Sequence, residues 1–232
     1  MRQTPAQRSF MHKSAAQQQA QADAANVHGE TVGEAFELMM MQLRQHRSDL
    51  KEIKSIEMKV DAKRKLLPLY DAYVDGVLQS RPGTQDQVIA YAMVWSLDAG
   101  LYARGIDIAE YMLAAGVNPP DDYRRNVATI LQDEISTAVC DGKLVGDEAL
   151  QTVRRVMEMT SAADTPDQPK ARLCKAAGWA LVGKTSTSDA DIASLSPEVC
   201  EQALPYLQRA IELDKLVGVK KDIERLERRV KK

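Results

Sequence analysis

Apolar residues recur along this chain at intervals of three, four and seven, and nowhere do they alternate convincingly with a period of two. A period near 3.6 places apolar side chains on one helical face, whereas a half-buried strand needs strict alternation. No paired runs of β-branched residues supply a sheet. The expected class is therefore all-α: an N-terminal arm and a long amphipathic helix, then a bundle of helical hairpins ending in a charged C-terminal helix. Low aromatic content (5%) agrees with that class.

The start and stop signals divide the chain. Residues 1–30 form a mobile arm in this reading, because HKSAAQQQAQADAAN contains no large apolar side chain to bury. Thr31 and Glu34 have capping-box spacing, and a helix over 31–65 then follows Phe36, Met39, Leu43, Leu50, Ile53 and Val60, interrupted by His46. Residues 66–232 make the helical-hairpin domain. Pro68 starts or kinks one helix, Thr84 caps the next, Gly100 and Gly116 stop two more, and Pro197 opens another at its first position. The chain closes on a basic helix, VKKDIERLERRVKK.

The string GWALVGKT, residues 178–185, fits the phosphate-loop pattern G-x-x-x-x-G-K-[ST] letter for letter. That chemistry needs a buried strand before the loop and a helix after it, so that backbone N–H groups cradle phosphate. Here the preceding residues have helical spacing and STSDADIASLSPE after them is loop-like. Gly178, Gly183, Lys184 and Thr185 are therefore read as a false P-loop: Gly183 is a helix C-cap and Lys184 a free lysine. No nucleotide site, metal site or cofactor is expected.

Other candidate chemistry is weak. Glu52-Ile53-Lys54 and Glu57-Met58-Lys59, with Asp49 upstream, imitate a nuclease E-x-K arrangement, but carboxylates on one helix are not the strand-borne set that grips a metal. Asp107, Glu110, Asp121, Asp122, Asp133, Glu134 and Asp141 form an acidic belt, read as a solvated face. His12, His28 and His46 lie near the N-terminus and are expected at the surface or at an interface. Cys140, Cys174 and Cys200 lack zinc or disulfide spacing and read as small buried hydrophobes in a reducing, cytosolic compartment. No run approaches the length of a membrane span. No catalytic residue is assigned.

Charge distribution carries more. Residues 44–65 hold eight basic side chains against four acids, and residues 215–232 hold eight against three, whereas 98–141 has eight acids and three arginines. On one continuous helix, Arg44, Arg47, Lys51 and Lys54 share an arc of about 80°. The DNA-binding candidates are Arg44, Arg47, Lys51, Lys54, Lys59, Lys63, Arg64 and Lys65, with Arg2, Arg8 and Lys13 in the arm. LMMMQL (38–43) is adaptable apolar surface, and Phe36, Met39, Met40, Leu43, Leu50 and Ile53 are the candidates for an oligomer seam.

Long strings carry a family resemblance: PAQRSFMHKSAA, LLPLYDAYVDGVL, QDQVIAYAMVWSLDAGLYARGIDIAEYMLAAG, MTSAADTPDQPKARL and LQRAIELDKLVGVKKDIERLERR. Together they resemble the terminase small subunit of temperate, contractile-tailed (Peduovirus-type) phages over about residues 5–230. The resemblance implies a ring-shaped homo-oligomer that binds the packaging site on viral double-stranded DNA in the host cytoplasm. It also implies recruitment and regulation of a terminase large subunit that carries the ATPase and nuclease. Members of this family have been labelled endonuclease subunits. A metal-dependent endonuclease is accordingly the alternative reading, and a helical protein-binding adaptor without DNA binding the second.

Overall fold

The computed structural model describes residues 33–120 and 122–231. Among them ten α-helices and one short 3-10 turn form, with no β-strand, so the protein is all-α. Backbone contacts divide the chain into two compact units, one ending at Val127 and one beginning at Ala128.

The first unit is built around α4 (Gln87–Asp98), whose residues Val88 through Leu97 are all buried. A helix apolar on every side must be wrapped by neighbours. Here α1 (Glu34–Glu52), α2 (Ile56–Leu66), α3 (Asp71–Ser80) and α5 (Tyr102–Ala115) all pack on it. The N-cap of α4 is Asp86, not Thr84: its carboxylate accepts from the backbone N–H groups of Val88 (2.8 Å) and Ile89 (3.2 Å). Pro68 sits in a 3-10 turn, Leu67–Leu69, between α2 and α3, where its missing N–H costs nothing.

The helix expected over 31–65 is two helices. Ile53 is extended (φ −76°, ψ 121°), and Ser55 caps α2 by accepting from the Met58 N–H. Apolar spacing continues across the break and so hid it. The stop is local: Ser55 offers the backbone a better partner than continued helix would. The proposed capping box involves Thr31, outside the described residues; the N-cap of α1 is Gly33.

The second unit contains α6 (Val127–Cys140), α7 (Gly146–Met159), α8 (Asp167–Val182), α9 (Pro197–Leu213) and α10 (Lys220–Val230). The closest pairing is the α8–α9 hairpin, and α10 docks on α9. Their shared core takes Ala171, Trp179, Cys200, Ala203, Leu207, Ala210, Val219 and Leu226. Gly178 sits where α8 meets α9; a Cβ there would lie 2.4 Å from Leu207 Cδ2, so any larger residue would force that leucine to shift. The thiols of Cys140, Cys174 and Cys200 are free, and burial raises all three.

Candidate nucleic-acid interface

The basic candidates of residues 44–65 divide by what the fold asks of them. Arg47 is committed to α1 docking. Its guanidinium stacks 4.3 Å over the Tyr91 ring and binds the Asp122 carboxylate at 2.6 Å. The Tyr91 hydroxyl donates to the same carboxylate (2.9 Å), and together these donors hold Asp122 below its ordinary range. Next to it, His46 Nδ1 and the Tyr70 hydroxyl share a hydrogen bond of 2.7 Å. Tyr70 in turn lies edge-on to Trp95 of α4. His46 is therefore a half-buried anchor rather than a surface group, and burial pushes its imidazole below the usual value.

Two cations in the last turn of α2 are spent at the C-terminus of α4, where unsatisfied carbonyls favour positive charge. Lys63 pairs with Asp98, and Arg64 donates to the Ala99 carbonyl at 2.9 Å and reaches Asp61 at 3.3 Å. Arg44, Lys51, Lys54 and Lys65 are exposed and Lys59 is half-buried. Lys54 lies in the break between α1 and α2, so it leaves the arc that a single helix would have shared. Arg2, Arg8 and Lys13 lie outside the described residues.

The seam candidates also divide. Met39, Leu43 and Leu50 are buried in the protomer's own core, which corrects their assignment to a subunit contact. A side chain with almost no exposed surface has nothing to offer a second copy. Ile53 is half-buried at the end of α1, while Phe36 and Met40 line a cleft of about 670 Å³ with Glu37, Arg44, Gln85, Gln87 and Asn118.

The phosphate-loop string forms a helix end. Gly183 caps α8 in the left-handed region (φ +70°), and the Lys184 N–H reaches back to the Trp179 carbonyl at 2.9 Å. Lys184 is not free, contrary to expectation. Its ammonium pairs with Asp222 (2.6 Å) and Asp189 (3.3 Å) and lies 5.0 Å from the Trp179 ring centroid. Asp222 is buried, and the Trp179 indole N–H donates to it at 3.0 Å. Thr185 accepts from the Ser188 N–H, closing a polar turn where a P-loop would begin a helix.

The nuclease-like residues are separated in the same way. Glu52 ends α1 and Glu57 begins α2, both exposed. Asp133 is buried and paired with Arg172 at 2.9 Å. Among the described residues, no group of three or more His, Cys, Asp and Glu is placed to hold a metal ion. Also among them, no helix is long and apolar enough to cross a membrane.

Comparison with known proteins decides the family. The profile of the phage small terminase subunit matches residues 40–168, more than half of the chain. The terminase, endonuclease subunit of Escherichia phage P2 is 37% identical over 229 residues, covering 98% of this chain and 86% of that protein. The chain belongs to the phage small terminase subunit family. No solved structure matches it.

The fold gives roles to residues of the C-terminal helix that the sequence pattern does not mark. Asp222 reads as one acid in a basic helix, yet it is the buried partner of Lys184 and Trp179. Arg225 and Arg229 read as part of a basic run, yet they hold α10 in place: Arg225 pairs with Asp189 at 2.7 Å, and Arg229 donates to the Leu195 carbonyl at 2.9 Å. The available signal was register. Asp222, Arg225 and Arg229 share the side of the helix that also carries Leu226.

Proposed function

We propose that this small terminase subunit is the DNA-recognising, non-catalytic component of a phage packaging machine. It works in the host cytoplasm as a ring-shaped homo-oligomer that binds viral double-stranded DNA and delivers it to a large subunit carrying the ATPase and nuclease. The observation that carries this reading is similarity to a phage terminase subunit along 98% of the chain. The concentration of basic residues in 44–65 and 215–232 supports a polyanionic ligand.

Support for a non-catalytic role comes from what the candidate groups do instead. Lys184 neutralises a buried carboxylate, Asp133 is paired with Arg172, and Glu52 and Glu57 stand on separate helices. The name of the phage P2 relative favours a second reading, a metal-dependent endonuclease. Native mass spectrometry with and without a packaging-site duplex tests the first: a discrete oligomer that gains mass with DNA is expected, and a DNA-indifferent monomer would sink it. For the second, purified protein is incubated with plasmid in Mg²⁺ or Mn²⁺. Nicking lost in Glu57→Ala or Asp133→Ala would replace the first reading with the second.

A further inference from the structure

We propose that the solvent face of α10 is the principal phosphate-contacting surface of this chain, and that its ligand is the backbone of duplex DNA. This rests on the DNA-packaging reading and names where the contact is made.

The two sides of α10 are sharply divided. Its inner side is fixed by buried Asp222 and Leu226, by Arg225 on Asp189, and by Arg229 on the Leu195 carbonyl. At 100° per residue, Lys220, Lys231, Glu224, Arg228 and Lys221 fall on the other side within an arc of about 100°. All five are exposed. Four cations and one acid therefore form a stripe about 16 Å long, the axial rise over which one strand of B-DNA presents about five phosphates. Exposed Lys215 stands in the turn just before it.

The 44–65 segment is less suited to this task. Three of its eight cations, Arg47, Lys63 and Arg64, are bound to partners within the protomer. The break at Ile53–Ser55 leaves Arg44 and Lys51 on α1, Lys59 and Lys65 on α2, and Lys54 between them. On α10, by contrast, the two arginines used for docking lie on the inner side, and none of the outward cations is needed for it.

The same geometry argues against an anionic membrane. An interfacial helix must insert an apolar face, but Leu226 is fully buried, and Ile223 and Val230 pack against the core of the second unit. What remains on α10 itself is charge without exposed apolar surface; exposed Leu216, in the turn before it, is a single side chain and not an inserting face, so the stripe suits a sugar–phosphate backbone and carries no sequence preference.

The test uses the whole chain, a short mixed-sequence duplex and fluorescence anisotropy across a salt series. Lys220→Gln, Lys221→Gln, Arg228→Gln and Lys231→Gln are combined in one variant. A matched control combines Arg44→Gln, Lys51→Gln, Lys54→Gln and Lys65→Gln. The α10 variant should lose about 3–4 from the slope of log affinity against log salt, and about tenfold or more in affinity at low salt; the control should keep both. Half-variants at 220/221 and 228/231 should each lose about half of that slope, so the result does not hang on one heavily altered protein.

An α10 variant that binds like the parent, or a control that carries the loss, overturns the inference and leaves the packaging reading standing. Parent protein that binds no duplex at any salt overturns both. If the α10 variant keeps its DNA affinity and loses association with the large subunit, the face is a protein surface and the inference fails.

Discussion

At the level of single residues, Asp86 shows how a cap can be expensive. It is fully buried, accepts two backbone N–H groups and the Tyr73 hydroxyl (2.6 Å), and burial raises its carboxyl to about 6. A carboxyl raised on folding contributes stability that is complete below the unfolded value of 3.8 and is lost as pH rises through about 6. At about 1.4 kcal/mol per pH unit, that loss is about 3 kcal/mol. Urea unfolding between pH 3.5 and 7.5 should show the decline, and Asp86→Asn should flatten it while keeping a capping oxygen; an unchanged slope would place the titration elsewhere. Lys184 is the second case. Lys184→Ala leaves buried Asp222 with the Trp179 N–H and no cation, so a loss of about 1–3 kcal/mol is expected in the same assay. Equilibrium dialysis should show no ATP binding for parent or variant; binding that vanishes in the variant would restore the phosphate-loop reading. The Gly183 cap was legible because helical spacing leads up to it. The Lys184–Asp222 pair was not, because its members are far apart in sequence.

At the level of elements, α2 is held by its ends. No residue of α2 is fully buried, so its position depends on the Ser55 cap and on Lys63 and Arg64 at the C-terminus of α4. Ser55→Ala should cost about 1 kcal/mol. Hydrogen exchange should accelerate in α2 and not in α4; uniform acceleration would mean that α2 is integral to the core. Arg47 belongs to the docking of α1. Arg47→Ala should cost about 0.5–1 kcal/mol by removing a half-exposed ion pair and a ring contact, whereas Lys51→Ala should leave the thermal midpoint unchanged. Both lie on the stripe that the sequence marks as DNA-binding. Only the position of Tyr91 and Asp122 separates a docking arginine from a solvent-facing lysine.

Across the whole molecule, the division after Val127 predicts two cooperative transitions in calorimetry. Gly178→Ala is the probe, since its added Cβ would strike Leu207 in the α8–α9 hairpin. It should lower one transition by several degrees and leave the other in place; a joint shift would show that the chain unfolds as a single body. The sequence by itself determined the helical class, most helix ends and the presence of two basic segments, because caps, glycine stops and the 3.6-residue period act within a few residues. It also carried the family resemblance, through long strings that no local energetics explains. Tertiary structure decided which apolar residues of α1 are core, which cations are already neutralised, and that Lys184 answers a buried acid. Those outcomes depend on partners dozens of residues away, and helical periodicity places a side chain on a face without saying what that face will meet.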